Sequence, residues 1–238
     1  MEYALPVYVY ACLTDAGVVM LDTRRGKYLM VPVDRALSLV GVVQGWPAVP
    51  TYSGAREIAS PPASLLESLA RGGLIVDAKS ALHAPERVNP AVADRALCGA
   101  LDAWDRPTVR VRYTVAFLRS AAYTAGMFKF RPFESVVRAL RKRKGRGYGA
   151  EVQVSLDHVR ECVRAFTWLR PFAYAEADAC LFDSVVLTDF LYRQGVFAEL
   201  LIAVRTRPFL AHSWVQAQGF VLNEVPEYIR GFTPILCV

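Results

Sequence analysis

The chain has 238 residues, 54% hydrophobic and 21% charged, a balance that excludes a disordered chain and suffices for one large domain or two small ones. Its formal net charge of +6 points to an acidic partner without separating nucleic acid, membrane surface and acidic peptide. Cys12, Cys98, Cys162, Cys180 and Cys237 form no CxxC pair, so neither a zinc cage nor a disulfide framework is expected, and a reducing cytoplasm fits.

No apolar run reaches the ~18–20 residues of a spanning helix, and Met1-Glu2-Tyr3 lacks the basic start of a signal peptide. A cytoplasmic protein with no membrane attachment is expected. Residues 7–32 alternate like strands, Val18–Leu21 and Lys27–Val31 being joined by the hairpin signal Thr23-Arg24-Arg25-Gly26. Asp34 is placed to cap a helix running to about Gln44, with Ala36, Leu37, Leu39, Val40 and Val43 on its apolar face. Ser60-Pro61-Pro62 opens a second helix carrying Leu65, Leu66 and Leu69, which stops at Gly72-Gly73 before a short strand, Leu74–Val76. Residues 1–80 therefore read as one small unit of strands and helices.

The polar stretch Lys79–Pro90 reads as a linker. Helical periodicity is expected from about Ala91 to Ala125, from Pro132 to Leu140 and from Ser155 to Phe166. The basic run Arg138–Arg146 reads as a solvated helix end. It has no interleaved aromatics and no nucleic-acid motif, so nucleic acid is not expected as a partner. A helix over Cys180–Gln194 ends at Gly195, a favourable left-handed position. Three strands follow: Ala198–Thr206, Ala211–Gln216 and Phe220–Val225.

Three of these segments carry chemistry. Asp178 as N-cap puts Cys180 in the first turn of its helix, where free N–H groups and the positive end of the macrodipole favour thiolate over thiol. A three-residue hairpin loop, Ala217-Gln218-Gly219, pairs His212 with Glu224 and sets their Cβ atoms ~5 Å apart. It also faces Trp214 with Leu222. A two-residue loop instead pairs His212 with Val225. With the first register, Cys180 is the nucleophile, His212 the base and Glu224 the group that orients the imidazole. Each residue alone is more often structural; their order and register together favour function.

At these residues the chain resembles the B proteins of lasso-peptide biosynthesis, the transglutaminase-like leader peptidases. The resemblance rests on Cys180-Leu181 with Ser184, on Gly195–Leu200, on Val204–Phe209 and on His212-Ser213-Trp214-Val215, with a weaker likeness at Val18–Pro32. It implies an α+β chain. Residues 1–80 would form a small winged-helix-like domain that recognises the precursor leader, and residues 91–238 a papain/transglutaminase-like cysteine peptidase domain. It implies Cys180 as nucleophile and His212 as base; the family commonly has Asp where Glu224 stands. The implied partners are the leader of a ribosomally made precursor peptide and an ATP-dependent lasso cyclase, with no cofactor and no metal. A leader could add as a strand to the edge supplied by Lys27–Val31, with Lys27, Tyr28, Leu29 and Met30 as contacts, beside a groove lined by Leu65, Leu66 and Leu69, and Trp214 is a further candidate for substrate binding. A leader-binding scaffold without catalysis and an acyl transferase using the same three residues are the alternatives.

Overall fold

A computed structural model describes residues 2–48, 60–80, 91–97, 110–147, 154–174 and 180–238. The chain divides into two compact units. The first comprises Met1–Asn89, Val204–Leu210 and Thr233–Leu236; the second comprises Pro90–Ala203, Ala211–Phe232 and Cys237–Val238. Two short segments from the C-terminal half thus belong with the N-terminal unit.

In the first unit, β1 (Tyr3–Ala4) is followed by an antiparallel meander, β2 (Val9–Thr14), β3 (Gly17–Asp22) and β4 (Lys27–Pro32), in spatial order β2-β3-β4. β3 is central and buried along its whole length, whereas β4 buries only Val31. Gly17 is required where it stands: its φ is +141°, and a Cβ there would run into the Val31 carbonyl of β4. Helix α1 (Val33–Ser38) is shorter than the apolar spacing predicts. Gly41, at φ +77°, turns the chain out of the helix, and Val43–Gln44 becomes β5, parallel to β1. Asp34 lies inside the first turn, and Pro32 occupies the N-cap. Helix α2 (Ala63–Arg71) and β6 (Val76–Asp77) complete the unit. Leu5, Val9, Val18, Met20, Leu39 and Leu69 form its core with Trp46, whose indole N–H donates to the Ala36 carbonyl at 3.1 Å.

The second unit departs from expectation at its start. Residues 91–97 are extended, not helical, and Arg95–Ala96 (β7) pairs in parallel with Phe220–Val221 (β10). Ala93 and Leu97 are buried, and the Ala93 N–H donates to Gln216 Oε1 at 3.1 Å. An alanine-rich stretch with good helix propensity is held as a strand by sheet pairing and burial. Helices α3 (Val111–Phe130), α4 (Phe133–Gly147), α5 (Leu156–Leu169) and α6 (Cys180–Arg193) follow. Ser155 caps α5 by accepting from the His158 N–H. Helix α6 is buried from Asp183 to Leu191, the all-round apolar pattern of an interior helix. Phe117 of α3, Phe166 of α5 and Phe190 of α6 pack in sequence, with ring centroids 5.5 and 5.8 Å apart.

β8 (Glu199–Thr206), β9 (Phe209–Ala217), β10, the short helix α7 (Pro226–Ile229) and β11 (Thr233–Cys237) close the chain. The sheet order is β11-β8-β9-β10-β7; β11 is a strand the sequence reading did not anticipate. Among the described residues, no helix is long and apolar enough to cross a membrane.

The basic run is less solvated than its composition suggests. Arg143 pairs with the buried Asp189 of α6, which also receives Arg193 Nε at 2.8 Å. Lys144 lies 3.7 Å from Glu199, and Arg138 pairs with Glu134 one turn away. Part of the excess positive charge therefore serves to neutralise carboxylates within the second unit.

Candidate active site

Cys180 is the first residue of α6 and is exposed; its expected N-cap, Asp178, lies outside the described residues. The first turn also carries Asp183, buried, which accepts from Tyr174 Oη at 2.9 Å and lies 3.5 Å from Arg170. These partners compensate a carboxylate that the low-dielectric interior would otherwise disfavour.

His212 lies on β9, and Glu224 follows β10. The hairpin between them corrects the preferred register. Ala217 pairs with Phe220 and Gln216 with Val221, so the loop is Gln218-Gly219, with both residues at positive φ (51° and 79°). That is the primed two-residue turn whose twist suits a hairpin. An unbroken ladder in this register would put Val225, not Glu224, opposite His212. The ladder ends early instead: β10 stops at Val221, and the chain bends over the next residues. The bend brings Glu224 Oε1 to 3.0 Å from His212 Nε2, while the other carboxylate oxygen accepts the Val225 N–H at 3.1 Å. The expected contact is made by irregular backbone rather than by a cross-strand pair.

A buried polar network underlies the same three positions. Ser184 Oγ, one helical turn below Cys180, donates to the carbonyl of Ser213 at 3.1 Å. Asn223 Nδ2 donates to Ser184 Oγ at 3.1 Å, and Asn223 Oδ1 accepts the Val215 N–H at 2.8 Å. Helix α6, strand β9 and the bend before Glu224 are thereby tied together by side chains adjacent to the reactive ones. The sequence reading gave Ser184, Ser213 and Asn223 no role. The signal available for Asn223 was a short amide side chain at the end of a short strand, where such groups replace lost ladder bonds.

Four cysteines fall among the described residues, and one behaves differently. Burial pushes Cys12 up to about 12 and Cys162 and Cys237 up to about 11. Cys180 moves the other way: hydrogen bonding to His212 outweighs burial and holds its thiol below the ordinary value, helped by the His212 charge and by the Ser213 hydroxyl and amide. Burial pulls His212 down, but hydrogen bonds to Cys180 and Glu224 overcome it and raise the imidazole to about 9. Burial raises Glu224, but the His212 hydrogen bond and the Val225 amide bring it below the usual carboxylate value. All three shifts favour the charged forms, thiolate, imidazolium and carboxylate in a row, the form in which a thiol nucleophile attacks an acyl carbon. The His212 ring meets Tyr228 edge-on at 5.2 Å and Phe232 at 5.6 Å; this aromatic wall was also missed, because α7 is only one turn long and gives no periodicity.

The expected peptide-contacting residues separate into two groups. Lys27, Leu29 and Met30 are exposed and Tyr28 is half-buried on β4, an edge strand of its sheet; Tyr28 packs edge-on against Phe209 at 5.5 Å. Leu65 is partly buried, but Leu69 is 3% exposed and belongs to the core, so it anchors α2 and does not line an open groove. Trp214 is fully buried with Leu201, Ala203 and Val221. It shares a face of β9 with His212, two residues away, but is enclosed in the core with Phe232, so it supports the strand and is not open to a peptide.

Residues 115–237 match the family model of the transglutaminase-like superfamily. The chain belongs to this superfamily. The matched region contains Cys180, His212 and Glu224. The chain is also similar to the Microcin J25-processing protein McjB of Escherichia coli, at 45% identity over 48 residues, covering 20% of this chain and 23% of that protein. The similarity thus spans under a quarter of that relative's length. No solved structure matches the chain significantly.

Proposed function

We propose that this transglutaminase-like protein is a cysteine endopeptidase that binds the leader of a ribosomally made lasso-peptide precursor and removes it before a separate ATP-dependent cyclase closes the ring. The observation that carries the reading is the row Cys180–His212–Glu224, with a thiol held low, an imidazole held high and a carboxylate 3.0 Å from the ring. The likeness to a microcin-processing protein supports a precursor peptide as substrate. Cys180 attacks the scissile carbonyl as thiolate. His212, already protonated, gives its proton to the leaving amine and then draws one from the attacking water. Glu224 holds the ring in orientation and stabilises its charge.

In the same reading the first unit is the recognition domain, of winged-helix-like type, and the leader joins the β4 edge along Lys27–Met30, its side chains meeting Leu29 and Met30 and reaching towards Leu65. The exposure of Leu29 and Met30, 42% and 46%, supports this: apolar side chains on a free sheet edge are a liability that a bound strand would cover. The test is cleavage of a precursor peptide by wild type and by Cys180→Ala, followed by mass spectrometry. Wild type releases the leader and the variant does not; cleavage by both at one rate would refute the proposal. Hydrolysis and acyl transfer to an added amine are told apart by product mass.

A further inference from the structure

Helix α3 carries two apolar stripes. Tyr113, Ala116, Phe117, Ser120 and Thr124 face the interior of the second unit. The other stripe is Val111, Val115, Leu118, Ala122 and Ala125, all exposed, with Val111 at 79%, Val115 at 48% and Leu118 at 55%. Its spacing alternates four and three residues, the seam pattern of helices that pack side by side in a heptad register. If the valine at 111 and the leucine at 118 are d positions, Val115 and Ala122 are a positions and Arg112 and Arg119 both fall at e. These are the positions where interhelical ion pairs select the partner.

Within α3 the charge is of one sign, and the nearest carboxylate, Glu161 of α5, is already engaged by Arg110 at 3.5 Å. Residues 111–130 contain Arg112, Arg119 and Lys129 and no Asp or Glu. Arg119 is exposed and makes no ion pair among the described residues. An open groove of about 900 Å³ alongside the seam is lined by Arg112, Arg119, His158 and Arg193, with no carboxylate among its lining residues. Cys180 and Arg193 stand at opposite ends of α6, ~20 Å apart at the rise of an α-helix, so an occupant here stays clear of the reactive thiol.

We propose that the outer face of α3 docks one amphipathic helix of a partner protein, apolar at a and d and acidic at e and g, so that its carboxylates meet Arg112 and Arg119. A second copy of this chain is a poor occupant, because its own seam offers no carboxylate to either arginine and an antiparallel pair sets the arginines against each other. Guanidinium–carboxylate pairs at the margin of a dry seam select the partner, and the apolar seam holds it. The proposal is independent of the chemistry assigned to Cys180.

The probe is a synthetic helix of about three heptads, with leucine at a and d and glutamate at e and g, beside its lysine counterpart. Binding to the full chain is read by fluorescence anisotropy. The glutamate peptide is expected to bind and the lysine peptide not. Arg119→Glu should weaken the glutamate peptide by about tenfold and admit the lysine peptide, the signature of a charge pair. Leu118→Asp should abolish binding. The alkylation rate of Cys180 checks that each variant is folded. If both peptides bind wild type equally, if Arg119→Glu leaves the preference for the glutamate peptide unchanged, or if the chain alone forms a dimer that Leu118→Asp dissolves, the proposal is wrong.

Discussion

At the scale of residues, the opposite pKa shifts of Cys180 and His212 set the expected pH behaviour. A lowered thiol means that the thiolate forms at a lower pH than in an ordinary cysteine, and an imidazole at about 9 keeps its proton until the pH rises through that value. Cleavage should therefore hold across the neutral range and fall as the pH passes about 9, when His212 can no longer protonate the leaving amine; a rate that keeps rising beyond pH 10 would contradict the pairing. Asn223 acts through others. Asn223→Ala removes the bridge from the Glu224 bend to Ser184 and to the Val215 amide, and is expected to lower kcat by up to about a hundredfold while moving the alkylation profile of Cys180 to higher pH. Circular dichroism would show whether the fold is kept; a lowered kcat with an unmoved alkylation profile would reduce Asn223 to a stabilising residue. These roles were only partly legible in the sequence. The order Cys180, His212, Glu224 and the helix that starts at Cys180 could be read, because residue types and caps are local signals. The Gln218-Gly219 turn was misjudged by one residue, because a single left-handed glycine fits either loop length, and Gln218 adopts the second positive φ without being a glycine.

Among the elements, β4 and α6 show what patterning conveys and what it omits. The meander of β2, β3 and β4 was evident from alternation around Thr23–Gly26, but residues 91–97 were not, since their burial depends on Gln216 far along the chain. Gly17 gives a direct check on the meander. Gly17→Ala puts a methyl group into the Val31 carbonyl at a positive φ and should cost about 1–3 kcal/mol in urea unfolding; an unchanged midpoint would mean that β3 and β4 are spaced differently. Within α6, Asp189 holds Arg143 and Arg193 from a site 1% exposed. Asp189→Asn strands two guanidinium groups, one of them in the run that composition alone assigned to solvent. It should destabilise the chain by about 3–5 kcal/mol.

For the whole molecule, the proposed function puts recognition and chemistry in different units and so requires them to fail separately. Leu29→Glu with Met30→Glu alters exposed side chains on β4 and should leave stability and Cys180 alkylation intact, while raising KM and weakening leader binding by about tenfold or more, as expected for central apolar contacts. Cys180→Ala should do the reverse, binding leader normally without cutting. Equal damage to both properties by either change would mean that one surface serves both. The superfamily and the order of the candidate reactive groups were accessible from sequence because each rests on short-range pattern. The short strands β5, β6 and β7, and the assignment of Val204–Leu210 and Thr233–Leu236 to the first unit, were not, because they arise from contacts between distant segments. The most direct measurement is the rate of Cys180 alkylation by iodoacetamide against pH, in wild type and in His212→Ala. Wild type should reach its plateau at a lower pH than the variant, whose thiol loses the His212 hydrogen bond and charge. Superimposable profiles rising through pH 9 would contradict the thiolate–imidazolium pair.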